Sequence, residues 1–538
     1  MTGAIPAADG PLLSGPAGRS DSEARQRLPQ TLHVVADKLA PIALCFAFAL
    51  AVTLSLSAIP RRSGDAHQYV AMALQLAQLR PPSLSLEEES AYRAWLRAQP
   101  PESGFADGAR AINQPALIRE GRQEFSHFWI YPLLTAPATV MATATGAHPL
   151  VAFTITNAFL LGAALWATAR TFGSVPALFV IGSPLVWFLG RAQVEIFTVA
   201  LLCLAIAAAA RGRWGWAALA AAMASTQNAP IAATIPIFWG AAIAEWVADR
   251  RLNHRSALPN WAELRLALVF ALSAAGVALL HPAYYLLRLG VLTPQELNGG
   301  IAGAWPTAGR YLAPLIDPEI GFAAWMPIVA LLTLAGLALL TKSVRHAGIE
   351  NRRLALTALC AAAMCVWFLF VFAQTTNVNS GGTIYVSRYA LWLIPLALPA
   401  MAMSSRYLDA RVPGMMLIGA LALFATYLSY FHPNQGERYV EHSPQAAWLM
   451  THAPAAYRPL PEVFVERELH IDGGPRVSAA DPVCQLMFIL AAHSEQPCAL
   501  TLSERVSLQQ KFAGGDAAVW VRRSAQGAGS VTTATLGS

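Results

Sequence analysis

This sequence is short of charge. Only 13% of its 538 residues are Asp, Glu, Lys or Arg, against 55% hydrophobic residues, where a soluble domain carries roughly 25% charged residues. That deficit argues against a water-soluble globular domain. The few charges sit in short patches between long apolar runs, the pattern of repeated membrane crossings. The net charge of +6 has no extended basic stripe behind it. Its Arg and Lys residues cluster at the ends of apolar runs, which argues against nucleic acid as a partner. Cysteine is also scarce, at six residues. Cys45, Cys203, Cys360 and Cys365 lie inside apolar runs and read as small core residues. Cys484 and Cys498 lie in the polar C-terminal stretch, paired or free, and sequence alone cannot decide pairing. CxxC and HExxH metal patterns are missing. A cleavable signal peptide is missing too. Residues 1–38 are too long and too polar for its basic leading region, and read as a disordered cytoplasmic tail.

What is present is a series of roughly eleven apolar runs, each near the length of about 20 residues that a helix needs to cross the hydrocarbon core. They fall at 39–59, 150–169, 174–190, 195–210, 214–228, 230–248, 263–287, 321–341, 353–373, 388–404 and 412–430. Pro184, Pro236 and Pro395 inside them are tolerable, because neighbouring helices can satisfy the freed backbone groups. The fold class is therefore an all-α polytopic membrane protein. The basic patches then agree on one side. Arg19, Arg25, Arg27 and Lys38 precede the first run, and Arg170, Arg211–Arg213, Asp249–Arg255, Lys342–Arg353 and Arg406–Arg411 follow alternate later ones. By the positive-inside rule that side is the cytoplasm. Residues 130–147 are apolar enough for a further crossing, but a full span there would invert every later loop. They read as a re-entrant or juxtamembrane segment, with a true span as the alternative. The outside segments are then 60–149, 191–195, 288–320, 374–387 and a tail, 431–538, that reads as a small α+β domain.

Four stretches on that outer side carry chemistry-bearing residues. Asp65 follows the first run and precedes Tyr69, Met72 and Leu76 at helical spacing; it is either a helix N-cap or a functional carboxylate. Glu195 lies at the turn of a hairpin, four residues after Arg191. It either pairs with Arg191 along a helix or points into the same cavity as Asp65. Ser126-His127-Phe128-Trp129-Ile130-Tyr131-Pro132 sets one titratable group among aromatics. His127 is a candidate acid/base or phosphate ligand, while Trp129 and Tyr131 suit either sugar stacking or membrane anchoring. Asn379–Tyr389 contains a Gly-Gly pair, then Arg388 and Tyr389 at a helix start. An outward Arg there suits an anionic phosphate; the plainer alternative is a salt bridge to Asp317 or Glu319.

Together these pieces resemble the GT-C superfamily of integral membrane glycosyltransferases, which includes the aminoarabinose, oligosaccharyl and protein O-mannosyl transferases. The resemblance runs through Gly64-Asp65-Ala66-His67-Gln68-Tyr69, through His127-Phe128-Trp129-Ile130-Tyr131-Pro132, and through Ser183-Pro184 followed by Gly190-Arg191 and Glu195. It implies inverting transfer of a sugar from a polyprenyl-phosphate donor to a lipid, glycan or protein acceptor at the outer face of a bacterial inner membrane. Asp65 would act as base or orient the acceptor, Glu195 would position it, and Arg388 would neutralise the departing phosphate. Tyr69, His127, Trp129, Tyr131, Arg191 and Tyr389 would line the substrate. The sequence departs from the pattern in having no second acid beside Asp65 and a lone Glu195, which weakens the case for a divalent metal cofactor without excluding it. A lipid or solute transporter and a non-catalytic envelope scaffold are the alternatives. Transporters usually carry internal repeats and midplane charges; no repeat is evident here.

Overall fold

A computed structural model describes residues 19–252, 261–298, 306–340, 349–375, 378, 385–408, 411–430, 441–453, 457, 459–460, 463, 467, 485–489, 518–522 and 533–535. In chain order the helices are α1 (Arg19–Leu56), α2 (Ala66–Ala77), α3 (Leu86–Arg97), α4 (Phe105–Ala111), α5 (Ile130–Ala144), α6 (Leu150–Phe172), α7 (Ser174–Ile181), α8 (Glu195–Ala210), α9 (Trp214–Ser225), α10 (Ile235–Leu252) and α11 (Trp261–Leu289). They continue with α12 (Gln295–Asn298), α13 (Ala308–Ile316), α14 (Phe322–Trp325), α15 (Pro327–Ala338), α16 (Ile349–Ala373), α17 (Leu393–Tyr407), α18 (Val412–Tyr430) and α19 (Pro444–His452). Every apolar run read from the sequence falls on helix. Among the described residues, five helical stretches are long and apolar enough to cross a membrane: Lys38–Leu56, Leu150–Phe172, Ala229–Arg250, Trp261–Leu289 and Asn351–Ala373. Leu, Phe and Ile side chains stand exposed along them, among them Phe46, Phe159, Leu272, Leu287 and Val366. Water would not tolerate an apolar belt of that extent, and lipid does. The chain is an all-α polytopic membrane protein.

Several runs are shorter or broken for identifiable reasons. The run at 174–190 divides into α7 and a 3-10 turn, Pro184–Gly190. Pro184 cannot donate a helical hydrogen bond, and Ser183 caps the new turn through Leu185 N. Gly182 lies at the break, where a side chain would meet Ala420 O of α18 at 2.9 Å. At the amino end, α1 begins at Arg19, well inside the segment expected to be disordered. Its Glu23-Ala24-Arg25-Gln26-Arg27-Leu28 stretch consists of good helix formers, and the helix runs on through Pro29 to the apolar span.

The stretch 130–147 forms α5, and its length of 15 residues spans about 22 Å, short of the roughly 30 Å hydrocarbon core. Tyr131 at its start touches Phe153 and bonds Asn157, both in the first turns of α6. The five-residue link 145–149 reaches at most about 18 Å, so it cannot start from the far end of α6. Helix α5 therefore packs by its first turn against the start of α6.

Among the described residues two large apolar cores form, beside a small cluster of Ala313, Ile320, Val378 and Val463. The larger lies inside the bundle of α1, α6–α10 and α15–α18. The smaller packs α2–α5 against the starts of α6 and α8 and the end of α11, with Tyr69, Phe105, Phe128, Tyr131, Phe153 and Tyr285 at its centre. A small antiparallel sheet, with Arg122–Gln123 between Leu84–Ser85 and Ile118–Arg119, ties the first loop together. The expected C-terminal α+β region shows α19 and three antiparallel strands, Gln485–Ile489, Ala518–Arg522 and Thr533–Thr535. Cys484, Cys498 and the segment 379–384 lie outside the described residues.

The polar groups separate to two ends. At one end Arg353 pairs with Glu245, whose carboxylate also accepts from Trp214 Nε1. There Arg250 meets Glu263 at 3.0 Å and Arg406 donates to Asn351. The other end holds the smaller core and the residues described next.

Candidate active site

Helix α2 begins where Gly64 turns the chain with a φ of +45°, a conformation that a side chain resists; a Cβ there would also meet Gln193 Nε2 at 2.6 Å. Asp65 occupies the N-cap position, yet its side chain makes no capping bond. The N-cap alternative therefore leaves the carboxylate unexplained. Asp65 Oδ2 instead lies 3.4 Å from His127 Nε2, and 36% of the Asp65 side chain is accessible. Burial pushes its pKa up, but the positive field of His127, Arg388, His67 and Arg62 outweighs this and holds it below the ordinary value.

His127 is oriented from its other nitrogen. Gln68 Oε1 accepts from Ser126 N at 3.1 Å and Ser126 Oγ at 3.0 Å, and lies 3.2 Å from His127 Nδ1. His127 Nδ1 also lies 3.2 Å from Ser126 Oγ, so Gln68 and Ser126 together hold the ring with Nε2 facing Asp65. Burial lowers the His127 pKa, the Asp65 carboxylate opposes this and Arg388 adds to it, and the ring settles below its ordinary value. Tyr69 packs its ring 4.8 Å from His127 and 5.7 Å from Tyr131. Burial first, then the carboxylates of Asp65 and Glu195, push the Tyr69 hydroxyl far up. One hydroxyl thus feels both acids.

Glu195 is the first residue of α8, with 3% of its side chain exposed, and its Oε1 lies 3.4 Å from Arg388 Nε. Its other oxygen is buried without a hydrogen-bond partner among the described residues. The expected Arg191–Glu195 pair does not form. Arg191 is in extended backbone at the end of the 3-10 turn, so no helical spacing links the two. Its guanidinium lies over Trp187, 4.6 Å from the ring centre, and donates to Arg61 O. The alternative pairing of Arg388 with Asp317 or Glu319 gives way to Glu195.

The hairpin carrying Glu195 is held by polar groups that leave no periodic trace in a sequence. Tyr131 donates to Asn157 Oδ1 at 2.8 Å, and Asn157 Nδ2 reaches the carbonyls of Phe188, Leu189 and Arg191. Ser63 Oγ donates to Gln193 Oε1 at 3.2 Å, joining the Asp65 turn to the Glu195 turn. Trp129 stands further along, against Phe128 and Tyr284, with its indole nitrogen buried and unbonded among the described residues. Tyr389 stacks on Phe372 at 5.0 Å.

The structure thus brings Asp65, Tyr69, His127, Glu195 and Arg388 together, with Tyr131 behind them. Arg191, Trp129 and Tyr389 take packing positions around this group. Sequence reasoning missed Gln68, Gln193 and Asn157, which orient the charged groups. It also missed the buried Glu124, which accepts from Arg288 Nη2 at 2.6 Å and Tyr284 at 2.8 Å and clasps the first loop to α11. Glu124 lies three residues before His127 and was legible as one more scarce acid. No group of three or more His, Cys, Asp and Glu suited to holding a metal gathers among the described residues.

The fold and site define a polytopic helical membrane protein with a desolvated acid–base and arginine cluster at one end. No protein-family model and no curated protein matches the chain. Among solved structures it is similar to ArnT from Cupriavidus metallidurans in the apo state, at 14% identity and a TM-score of 0.39, over 76% of this chain and 67% of that one. The same protein bound to undecaprenyl phosphate gives 15% identity and a TM-score of 0.38, over 72% of this chain and 63% of that one.

Proposed function

We propose that the chain is a GT-C-type membrane glycosyltransferase. It moves a sugar from a polyprenyl-phosphate donor to an envelope acceptor at the extracytoplasmic face of an inner membrane. The observation that supports this best is the convergence of Asp65, His127, Glu195 and Arg388 at the end opposite the arginine-rich loops. By the positive-inside rule the arginine-rich end is cytoplasmic, which puts the amino terminus inside and the C-terminal tail outside.

Asp65 is the base, with its lowered pKa keeping it ionised at neutral pH. As the acceptor oxygen attacks the anomeric carbon, the hydroxyl proton passes to Asp65, and the bond from that carbon to the phosphate oxygen breaks with inversion. The phosphate departs with the bonding electrons, and Arg388 offsets its charge. Glu195 fixes the direction of the Arg388 guanidinium. His127 Nε2, 3.4 Å from Asp65, is placed to relay the proton onward.

The test is lipid preference. The purified protein is titrated with undecaprenyl phosphate and with the uncharged undecaprenol. Wild type is expected to prefer the phosphate by tenfold or more, and Arg388→Gln to lose that preference, since a charge-assisted contact contributes about 1.5–3 kcal/mol. Equal binding of both lipids by wild type would sink the reading.

A further inference from the structure

We propose that Arg467, from the C-terminal segment, is a positioning residue for the phosphate-binding Arg388; the phosphate role rests on the function proposed above. Arg467 is among the largest fully buried side chains of the protein, and charged residues are almost never fully buried without a purpose. Its Nε lies 3.2 Å from Glu319 Oε1, itself fully buried, and its Nη2 donates to Tyr385 O at 2.9 Å.

Tyr385 explains why an arginine reaches there. Its φ is +66°, left-handed backbone that a bulky aromatic residue resists. Such a conformation persists only where its surroundings over-determine it, and it concentrates at ligand-binding sites. Here the surroundings are specific. The Tyr385 ring stacks on Trp325 at 5.1 Å and 8°. Trp325 Nε1 donates to Glu319 O, and Ser387 N donates to Ile320 O. Ser443 N and His442 also hold the Glu319 carboxylate, and Tyr457 donates to the neighbouring Asp317. The segment 385–387 is thus clamped between the 317–320 turn and the C-terminal segment, and Arg388 is the next residue. A buried ion pair costs desolvation and is weak as a source of stability alone. Its effect here is to fix one backbone path into the 3-10 turn Arg388–Trp392, whose first residue meets Glu195.

The experiment compares full-length wild type, Arg467→Gln and Arg467→Lys, reconstituted in nanodiscs. The lysine keeps a cation beside Glu319 but loses the forked second donor. Two readouts are taken: amide hydrogen exchange at 385–388 against α6, and affinity for undecaprenyl phosphate against undecaprenol. Both variants are expected to raise exchange at 385–388 selectively, with α6 unchanged. Both are expected to weaken phosphate binding, by roughly tenfold for Gln and less for Lys, with undecaprenol binding unchanged. Unchanged exchange at 385–388 in a folded variant overturns the inference. So does unchanged phosphate affinity where wild type prefers the phosphate, because a purely structural Arg467 would lower thermal stability alone. Selective loosening of 385–388 in the variants, together with a wild type that shows no phosphate preference, supports the positioning of Arg388 and refutes the function, so the two failures are distinguishable.

Discussion

The two ends of this molecule handle charge in opposite ways. At the arginine-rich end Arg250 meets Glu263 at 3.0 Å with 53% of the Glu263 side chain exposed. Solvent screens such a pair, and it contributes little to stability. At the other end Glu195 meets Arg388 at a similar distance, 3.4 Å, but nearly out of reach of solvent. The difference lies in desolvation. Exposed charges interact through solvent and tolerate exchange. Buried ones interact through a lower dielectric, hold one geometry, and are costly to strand.

The sharpest way to break this comparison is to remove one partner at each end. Glu195→Gln or Arg388→Gln is expected to destabilise the protein by about 3–5 kcal/mol, because each removes the ion-pair partner of a buried charge, and the double variant is expected to recover much of that loss. Thermal melts of the two singles and the double in one detergent check this. Melting against pH sharpens it further. His67 is buried, and its pKa falls to about 4, through burial first and then the charge of Arg62. The unfolded chain binds that proton near pH 6.5 and the folded one does not. His67 therefore contributes stability that is present above pH 6.5 and is lost as pH falls toward 4, by roughly 3 kcal/mol at most. His67→Phe is expected to flatten the melting curve over that window. Asn157→Ala removes the side chain that gathers three carbonyls before Glu195, with an expected cost of about 1–3 kcal/mol. Glu263→Gln, which removes the exposed partner of Arg250 at the opposite end, is expected to move stability by less than about 1 kcal/mol.

Much of this was legible in the sequence, for a physical reason. In a chain so poor in charge, apolar runs announce helices, and a charge away from the basic loops stands out. Asp65, His127, Glu195 and Arg388 were each singled out on that ground, and they converge. The connections among them were not legible. Arg191 and Glu195 have helical spacing in the sequence, but Pro184 and Gly190 bound a 3-10 turn that leaves Arg191 extended. Arg388 then finds Glu195 across nearly two hundred residues of chain. Gln68, Gln193 and Asn157 act through single hydrogen bonds to distant backbone and side chains, which neither periodicity nor charge counting can register. Arg467 carries its charge in a polar stretch where one more arginine draws no notice.

The most direct measurement is sugar transfer by Asp65→Asn. This substitution keeps the shape of the side chain but removes its ability to take a proton. Membrane vesicles containing wild type or the variant at matched levels are supplied with polyprenyl-phosphate sugar, and glycosylated acceptor is measured. The account expects the variant to lose a factor of about 100 or more in rate, as for removal of a general base, while undecaprenyl phosphate binding persists. Transfer at the wild-type rate by a folded Asp65→Asn protein would contradict it.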